Sequence, residues 1–243
     1  MNFVALVPAR GGSKGLPGKN LMEVQGISLV ARAILLAKQI PDISRVILST
    51  DDERIIEEGR RAGGEVPFRR PLDLSRSDTP MLKVLEHAVE WIRNDVGNTD
   101  DGLSGLVVLQ PTSPMRKKVH IIEALDLYRR KKHNGENIAG VISVSPVPSA
   151  FYPFRIFKYT KKRNLSTRNE RCQPITNLTN DKSIENLFYR NGAVIVLDPN
   201  HLSALNSFSP KILPYIIEEP LISIDTLYDL LCVGHCGRRL EPY

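Results

Sequence analysis

The sequence predicts a doubly wound α/β fold around a mostly parallel sheet, and three observations carry that expectation. Val4-Ala5-Leu6-Val7, Arg45-Val46-Ile47-Leu48-Ser49-Thr50 and Leu106-Val107-Val108-Leu109 are short runs rich in aliphatic residues, as strands covered on both faces must be. Between the first two lies a segment with helical spacing, which gives the strand-helix-strand order of right-handed crossovers. The length of 243 residues, with 42% hydrophobic and 25% charged residues, suits one well-buried domain with an excursion rather than two full domains.

Taken in order, the first strand breaks into a glycine-rich loop, and Ile27 to Gln39 follows with helical periodicity until Pro41-Asp42 ends it. The strand Arg45–Thr50 closes on Asp51-Asp52, and the helix from Glu53 stops at Gly63-Gly64. Glu65 to Phe68 reads as a short strand. Asp78-Thr79-Pro80 has the chemistry of a helix start, and Leu82, Leu85, Val89 and Ile92 supply that helix's apolar face. After the third strong strand at Leu106–Leu109, the expected elements are a helix over Val119–Lys132 and a strand over Ile138–Val144. Regular patterning is lost over residues 146–187, where prolines, aromatics and a basic run from Lys158 to Arg171 suggest an inserted arm; a substrate lid is the competing reading. Phe188 to Val196 reads as a turn at Asn191-Gly192 leading into a strand. Leu221 to Asp225 reads as the last strand, with Ser223 and Asp225 on one side, and Thr226 to Leu231 as the last helix.

A formal net charge of +6 admits nucleic acid, an acidic membrane surface or anionic small molecules as partners. The basic residues lie in the glycine-rich loop, at Arg69-Arg70, at Arg116-Lys117-Lys118 and through Lys158 to Arg171, without the aromatic interleaving that would suggest base stacking, so small anions are favoured over nucleic acid. No apolar run reaches the roughly 18 to 20 residues of a membrane span, which speaks against a membrane partner. The first residues read as a strand rather than a signal peptide, so a cytoplasmic location is expected. Cys172, Cys232 and Cys236 are too few for a disulfide framework, and Cys232 to Cys236 lacks the second ligand pair of a zinc site.

The chemistry concentrates in the first loop, which holds Gly11, Gly12, Gly15 and Gly18 with Arg10, Lys14 and Lys19. Glycines let backbone N–H groups approach phosphate oxygens, and the cations neutralise them. A Walker loop is excluded, because five residues separate Gly12 from Gly18-Lys19 and Asn20 follows. A dinucleotide G-x-G-x-x-G is absent too.

The string Pro8-Ala9-Arg10-Gly11-Gly12-Ser13-Lys14-Gly15, with Lys19-Asn20, resembles the signature of acylneuraminate cytidylyltransferases, which activate sialic and related nine-carbon acids as CMP-sugars. The related Kdo cytidylyltransferases carry a Ser-Thr-Arg version and Lys-Pro at its end. The resemblance continues at Arg70-Pro71 with Asp78-Thr79, at Gln110-Pro111-Thr112-Ser113-Pro114-Met115-Arg116, and at Tyr189 before Asn191-Gly192-Ala193. It departs at Ser223-Ile224-Asp225, where the family places two aspartates.

That resemblance implies a Rossmann-like, nucleotide-diphospho-sugar transferase-like fold and transfer of CMP from CTP to a nonulosonic acid of the sialic, legionaminic or pseudaminic type, with release of pyrophosphate. It implies a nucleotide site of Ala9, Arg10, Gly12, Ser13, Lys19, Asn20, Arg70, Asp78 and Thr79, and a sugar site of Gln110, Thr112, Arg116, Tyr189 and Asn191. Arg10, Lys19 and Asp225 would be catalytic, Asp225 would hold Mg²⁺, and the arm at 146–187 would make a homodimer. Two alternatives stay open: a nucleotidyltransferase using another nucleotide or sugar phosphate, and a non-catalytic nucleotide binder.

Overall fold

In the computed structural model, residues 1–13, 15–95, 102–152, 157–159, 165–167, 187–204 and 211–235 are described. The first strand, β1 (Asn2–Pro8), lies inside the sheet and explains its own composition. Phe3, Ala5 and Val7 enter one hydrophobic cluster, and Val4 and Leu6 enter another on the opposite face. Neither face meets water, so alternation with polar residues would bury unpaired groups.

A two-stranded ribbon follows, β2 (Glu23–Val24) with β3 (Ile27–Ser28), turning through Gln25 and Gly26, both at positive φ. The ribbon takes up Ile27 and Ser28, so α1 (Leu29–Lys38) begins two residues later than expected, with the Ser28 side chain accepting from the Ala31 N–H. Then come β4 (Ile43–Ser49), α2 (Glu53–Arg61) capped by Asp52, α3 (Met81–Asp95), β5 (Leu103–Val108), α4 (Lys118–His133) and β6 (Gly140–Pro146). A second small ribbon pairs β7 (Phe157–Tyr159) with β8 (Leu165–Thr167). The chain continues through β9 (Phe188–Leu197), β10 (Ile212–Ile216) and α5 (Leu227–His235).

The main sheet has six strands in the order β10-β6-β9-β5-β1-β4. Every neighbouring pair is parallel except those made by β9, which runs antiparallel to both β5 and β6. Side chains of α1 and α4 pack on one face and those of α3 on the other, giving the doubly wound α/β arrangement. The chain leaves β1 towards β4 and later returns to β5 on the other side of β1. The crevice beyond the ends of β1 and β5 is therefore a topological switch point.

Four local expectations are corrected. Leu221–Asp225 is not a strand: it has no ladder partner, and its apolar alternation serves a third cluster, in which Leu221 and Ile222 pack around buried Ile224. The last strand is β10, whose central Pro214 hides it in the sequence. Glu65–Phe68 makes a single bridge, Glu65 to Ile47, rather than a strand. Asn191-Gly192 is not a turn before a strand but a bulge within β9, where Gly192 has φ 72° and the register against β6 shifts. Of the expected arm at 146–187, the ribbon β7–β8 is described, whereas residues 153–156, 160–164 and 168–186 lie outside the described residues.

Candidate nucleotide and sugar site

A cavity of about 480 Å³ opens at the switch point, between the loop after β1 and the loop after β5. Ala9 is fully buried and donates its N–H to the Ser49 carbonyl at 2.9 Å, so β1 stays clamped to β4 one residue beyond the strand. The next residues turn over a polar frame. The Gly11 N–H donates to Asp51 Oδ1 at 2.9 Å, and Asn20, itself buried, donates through Nδ2 to the Arg10 carbonyl at 2.9 Å. Gly15 lies so close to the C-terminal segment that a Cβ there would stand 2.8 Å from the Asp225 carbonyl oxygen.

Cations collect on this frame. Arg10, Lys19, Arg70 and Arg76 line the cavity, and Asp225 is the one acidic residue among its described lining. Arg10 donates through Nη1 to the Arg76 carbonyl at 2.8 Å, tying the first loop to the 71–80 segment. Arg70 is 4% exposed and donates to Ser49 Oγ at 3.0 Å and to the Ser49 carbonyl at 2.5 Å. Burial pulls its guanidinium down to about 10, with Asp51 opposing and Arg10 reinforcing the shift. At neutral pH Arg70 is still a cation, held by oxygens that carry no formal charge.

The third cluster sets the opposite wall. Leu16 of the first loop, Met115, Ile224 and Val233 pack together, and the Ile224 N–H donates to the Thr112 carbonyl at 2.8 Å. Asp225 is thereby brought against Lys19, with Nζ and Oδ1 2.9 Å apart. Asp229 is the N3 partner of a capping box rather than a cavity residue: its Oδ2 accepts from the Thr226 N–H at 2.8 Å, and its own N–H donates to Thr226 Oγ1 at 3.3 Å.

Of the expected site residues, Arg10, Ser13, Lys19, Asn20, Arg70, Thr79, Gln110, Thr112 and Asp225 line this cavity together. The others are placed elsewhere. Asp78 is exposed, 3.7 Å from Arg76 Nε, and no hydrogen bond from it caps α3. Arg116 is 3% exposed and ties the loop after β5 to the middle of β9 by donating to the Gln110 carbonyl at 3.3 Å and to the Ala193 carbonyl at 2.6 Å. Asn191 is buried, its amide held by Ser143, Ser145 and the Ala193 N–H. Tyr189 sits on β9 opposite Ser145, outside the cavity lining. Gly12 has open space where a Cβ would be, and Lys14 lies outside the described residues. Asp51 and Arg76 escaped the sequence reading. Asp51 could have been found as an acid at the end of the strand neighbouring the switch point.

The residues present suit a divalent cation that takes most of its ligands from a substrate. Asp225 offers one carboxylate, and no group of three or more His, Cys, Asp or Glu side chains arranged for a metal occurs among the described residues. Mg²⁺ is often held this way, by one or two carboxylates with phosphates and water.

Known proteins resemble the chain in sequence and in fold. It is 32% identical over 149 residues, 61% of each chain, to CMP-N,N'-diacetyllegionaminic acid synthase of Legionella pneumophila. It is 27% identical to N-acylneuraminate cytidylyltransferase of Streptococcus agalactiae, over 97% of this chain but 53% of that protein. The chain thus spans 61% and 53% of the lengths of these two relatives. A solved CMP:2-keto-3-deoxy-manno-octonic acid synthetase, complexed with CTP, superposes with a TM-score of 0.66 over 98% of this chain and 99% of that one, at 17% identity, a likeness of fold. The family model described as cytidylyltransferase matches residues 4–221, from β1 through both cavity loops to the segment that leads to Asp225, and the chain belongs to that family.

Proposed function

We propose that the protein transfers CMP from CTP to the anomeric hydroxyl of a nonulosonic acid and releases pyrophosphate. The observation that carries this reading is the cavity's charge: four cationic side chains face one carboxylate at the end of a glycine-rich loop, with the neutral amide of Gln110 on the opposite side. A polyphosphate is the ligand that such an imbalance favours. The names of the two relatives, a legionaminic acid synthase and an acylneuraminate cytidylyltransferase, support the nine-carbon acid as the acceptor.

In this reading Arg10, Lys19 and the backbone N–H groups around Gly12 and Ser13 hold the triphosphate. Arg70, Asn20 and Thr79 bind the nucleoside end, and Gln110 and Thr112 the sugar acid. The anomeric oxygen forms a bond to the α-phosphorus as the bond to the bridging α–β oxygen breaks. Pyrophosphate leaves with that electron pair, and the hydroxyl proton passes to solvent. The protein's contribution is positioning and neutralisation of charge. Mg²⁺ bound at Asp225 would screen the phosphates and acidify the attacking hydroxyl. A homodimer formed through the 146–187 arm and a cytoplasmic location belong to the same proposal.

The test is pyrophosphate release with CTP, GTP, UTP or ATP against a panel of sialic, legionaminic and pseudaminic acids. Release with CTP and one of these acids is expected. Release with another nucleotide, or CTP binding without release across the panel, would refute the assignment.

A further inference from the structure

Lys19 and Asp225 are 206 positions apart in the chain, yet their side chains meet across the cavity. The contact is enforced from three sides. The buried Ile224 fixes the residue before Asp225 and donates its N–H to Thr112; Gly15 packs on the Asp225 carbonyl; and the Asp225 N–H donates to Asp229 Oδ2 at 3.0 Å. The pair is asymmetric, because the Lys19 side chain is 14% exposed and that of Asp225 is 72% exposed. Lys19, unlike Arg10 and Arg70, therefore meets an incoming phosphate while already holding a carboxylate.

We propose that Asp225 makes the cavity discriminate between free and cation-complexed triphosphate by holding Lys19 until a divalent cation takes its carboxylate. The inference rests on the triphosphate reading above. A free triphosphate that recruits Lys19 leaves Asp225 without its partner and facing phosphate oxygens. A triphosphate that arrives with a cation supplies a partner to each side: phosphate to Lys19, cation to Asp225. Arg10 and Arg70 keep their bonds to Arg76 and Ser49 carbonyls in either case, so of these three cations the discrimination falls on Lys19, the one that is paired with Asp225. Nucleotide and cation then bind with positive coupling, each raising the affinity for the other.

The test is calorimetric binding of CTP and of inorganic tripolyphosphate, in EDTA and in Mg²⁺, to the wild type, Asp225→Asn, Lys19→Met and the double variant. An exposed ion pair is weak, so in EDTA Asp225→Asn should tighten binding only about two- to fivefold, and by a smaller factor when Lys19 is already Met and only the repulsion between Asp225 and phosphate is relieved. In Mg²⁺ the advantage of Asp225→Asn should vanish. Asp225→Ala repeats the measurement with a smaller side chain, and circular dichroism checks that each variant is folded. No tightening in EDTA, or equal tightening in both Lys19 backgrounds, overturns the proposal; the second result would reveal simple repulsion between Asp225 and phosphate. If Mg²⁺-CTP binds the wild type and the cycle is flat, the coupling alone falls. If neither CTP nor tripolyphosphate binds under either condition, the triphosphate reading falls with it.

Discussion

Gly192→Ala offers a sharp test of how the Gln110 side of the cavity is built, because two separate costs meet at one residue. Gly192 has φ 72°, and a left-handed conformation costs an L-residue about 1–2 kcal/mol. The added Cβ would also lie 2.7 Å from Gln110 Oε1 and 3.2 Å from Ser113 Oγ. The Gln110 amide must swing away, and an off-rotamer side chain costs about 0.5–1.5 kcal/mol. The sum is about 1.5–3.5 kcal/mol, which in a chain of this size should lower the melting temperature by about 3–14 °C. Urea denaturation and thermal melts give this term directly.

The same substitution should raise KM for the sugar acid at saturating CTP about fivefold, the equivalent of about 1 kcal/mol, while CTP affinity stays unchanged. A double-mutant cycle with Gln110→Ala separates the contributions: the backbone strain persists in that background, and the steric part of about 0.5–1.5 kcal/mol disappears. A Gly192→Ala protein as stable as the wild type, with an unchanged KM, would refute the reasoning. So would a cycle without coupling, because Gln110 would then not rest on the bulge.

Gly12→Ala should leave stability unchanged, since a Cβ there meets nothing within 4 Å, yet weaken CTP binding about tenfold or more if phosphate packs on that backbone; titration and a melt together decide it. Arg70→Met should cost less than about 1 kcal/mol of stability, because a desolvated cation is removed and the Ser49 carbonyl keeps the Ala9 N–H, while CTP affinity falls at least about tenfold. Stability should also fall as pH drops from 7 towards 4. Burial pushes His120 below its ordinary 6.5 against the pull of Glu219, so the unfolded chain takes up a proton first and the folded state loses stability as pH falls through about 6.5. Burial raises Glu219, but hydrogen bonds from Lys117 and His120 outweigh it and hold the carboxyl below 4.5, so its contribution is present above about 4.5 and lost in more acid solution. His120→Gln should remove the upper step in the urea midpoint plotted against pH and keep a smaller lower one, sustained by Lys117.

The strands that were plain in the sequence are those whose surroundings demand one kind of residue. β1, the Val46-Ile47-Leu48 centre of β4 and the Leu106-Val107-Val108 part of β5 are covered on both faces, and these are the aliphatic stretches that predicted them. Patterning failed where the same signal has two physical causes. The alternation over Leu221–Asp225 reflects packing of Ile222 and Ile224 in a small cluster, which produces the same period as a half-buried strand. Asn191-Gly192 announces a positive φ, and a bulge satisfies that as well as a turn. The resemblance implies a sugar contact for Arg116, which follows Gln110 by six positions. Its acceptor at Ala193 lies 77 positions away, and only the antiparallel β9 brings that carbonyl within reach.

Two cavity arginines, Arg10 and Arg70, differ from four ion-paired arginines elsewhere in the acceptors that hold them. Arg45, Arg54, Arg61 and Arg129 lie outside the cavity lining and pair with carboxylates, so their charge is cancelled where they stand. Arg10 and Arg70, inside it, are fixed by the neutral oxygens of Arg76 and Ser49. A carbonyl can orient a guanidinium without neutralising it, so geometry is set while the positive potential remains for a ligand. The cost appears at Arg70, whose buried charge is pulled down to about 10 in the free protein. An anion of several charges relieves that cost on arrival. The same arrangement explains why Lys19 stands apart: it alone among these three is already matched to an acid, and Asp225 must find another partner before the cradle carries its full charge.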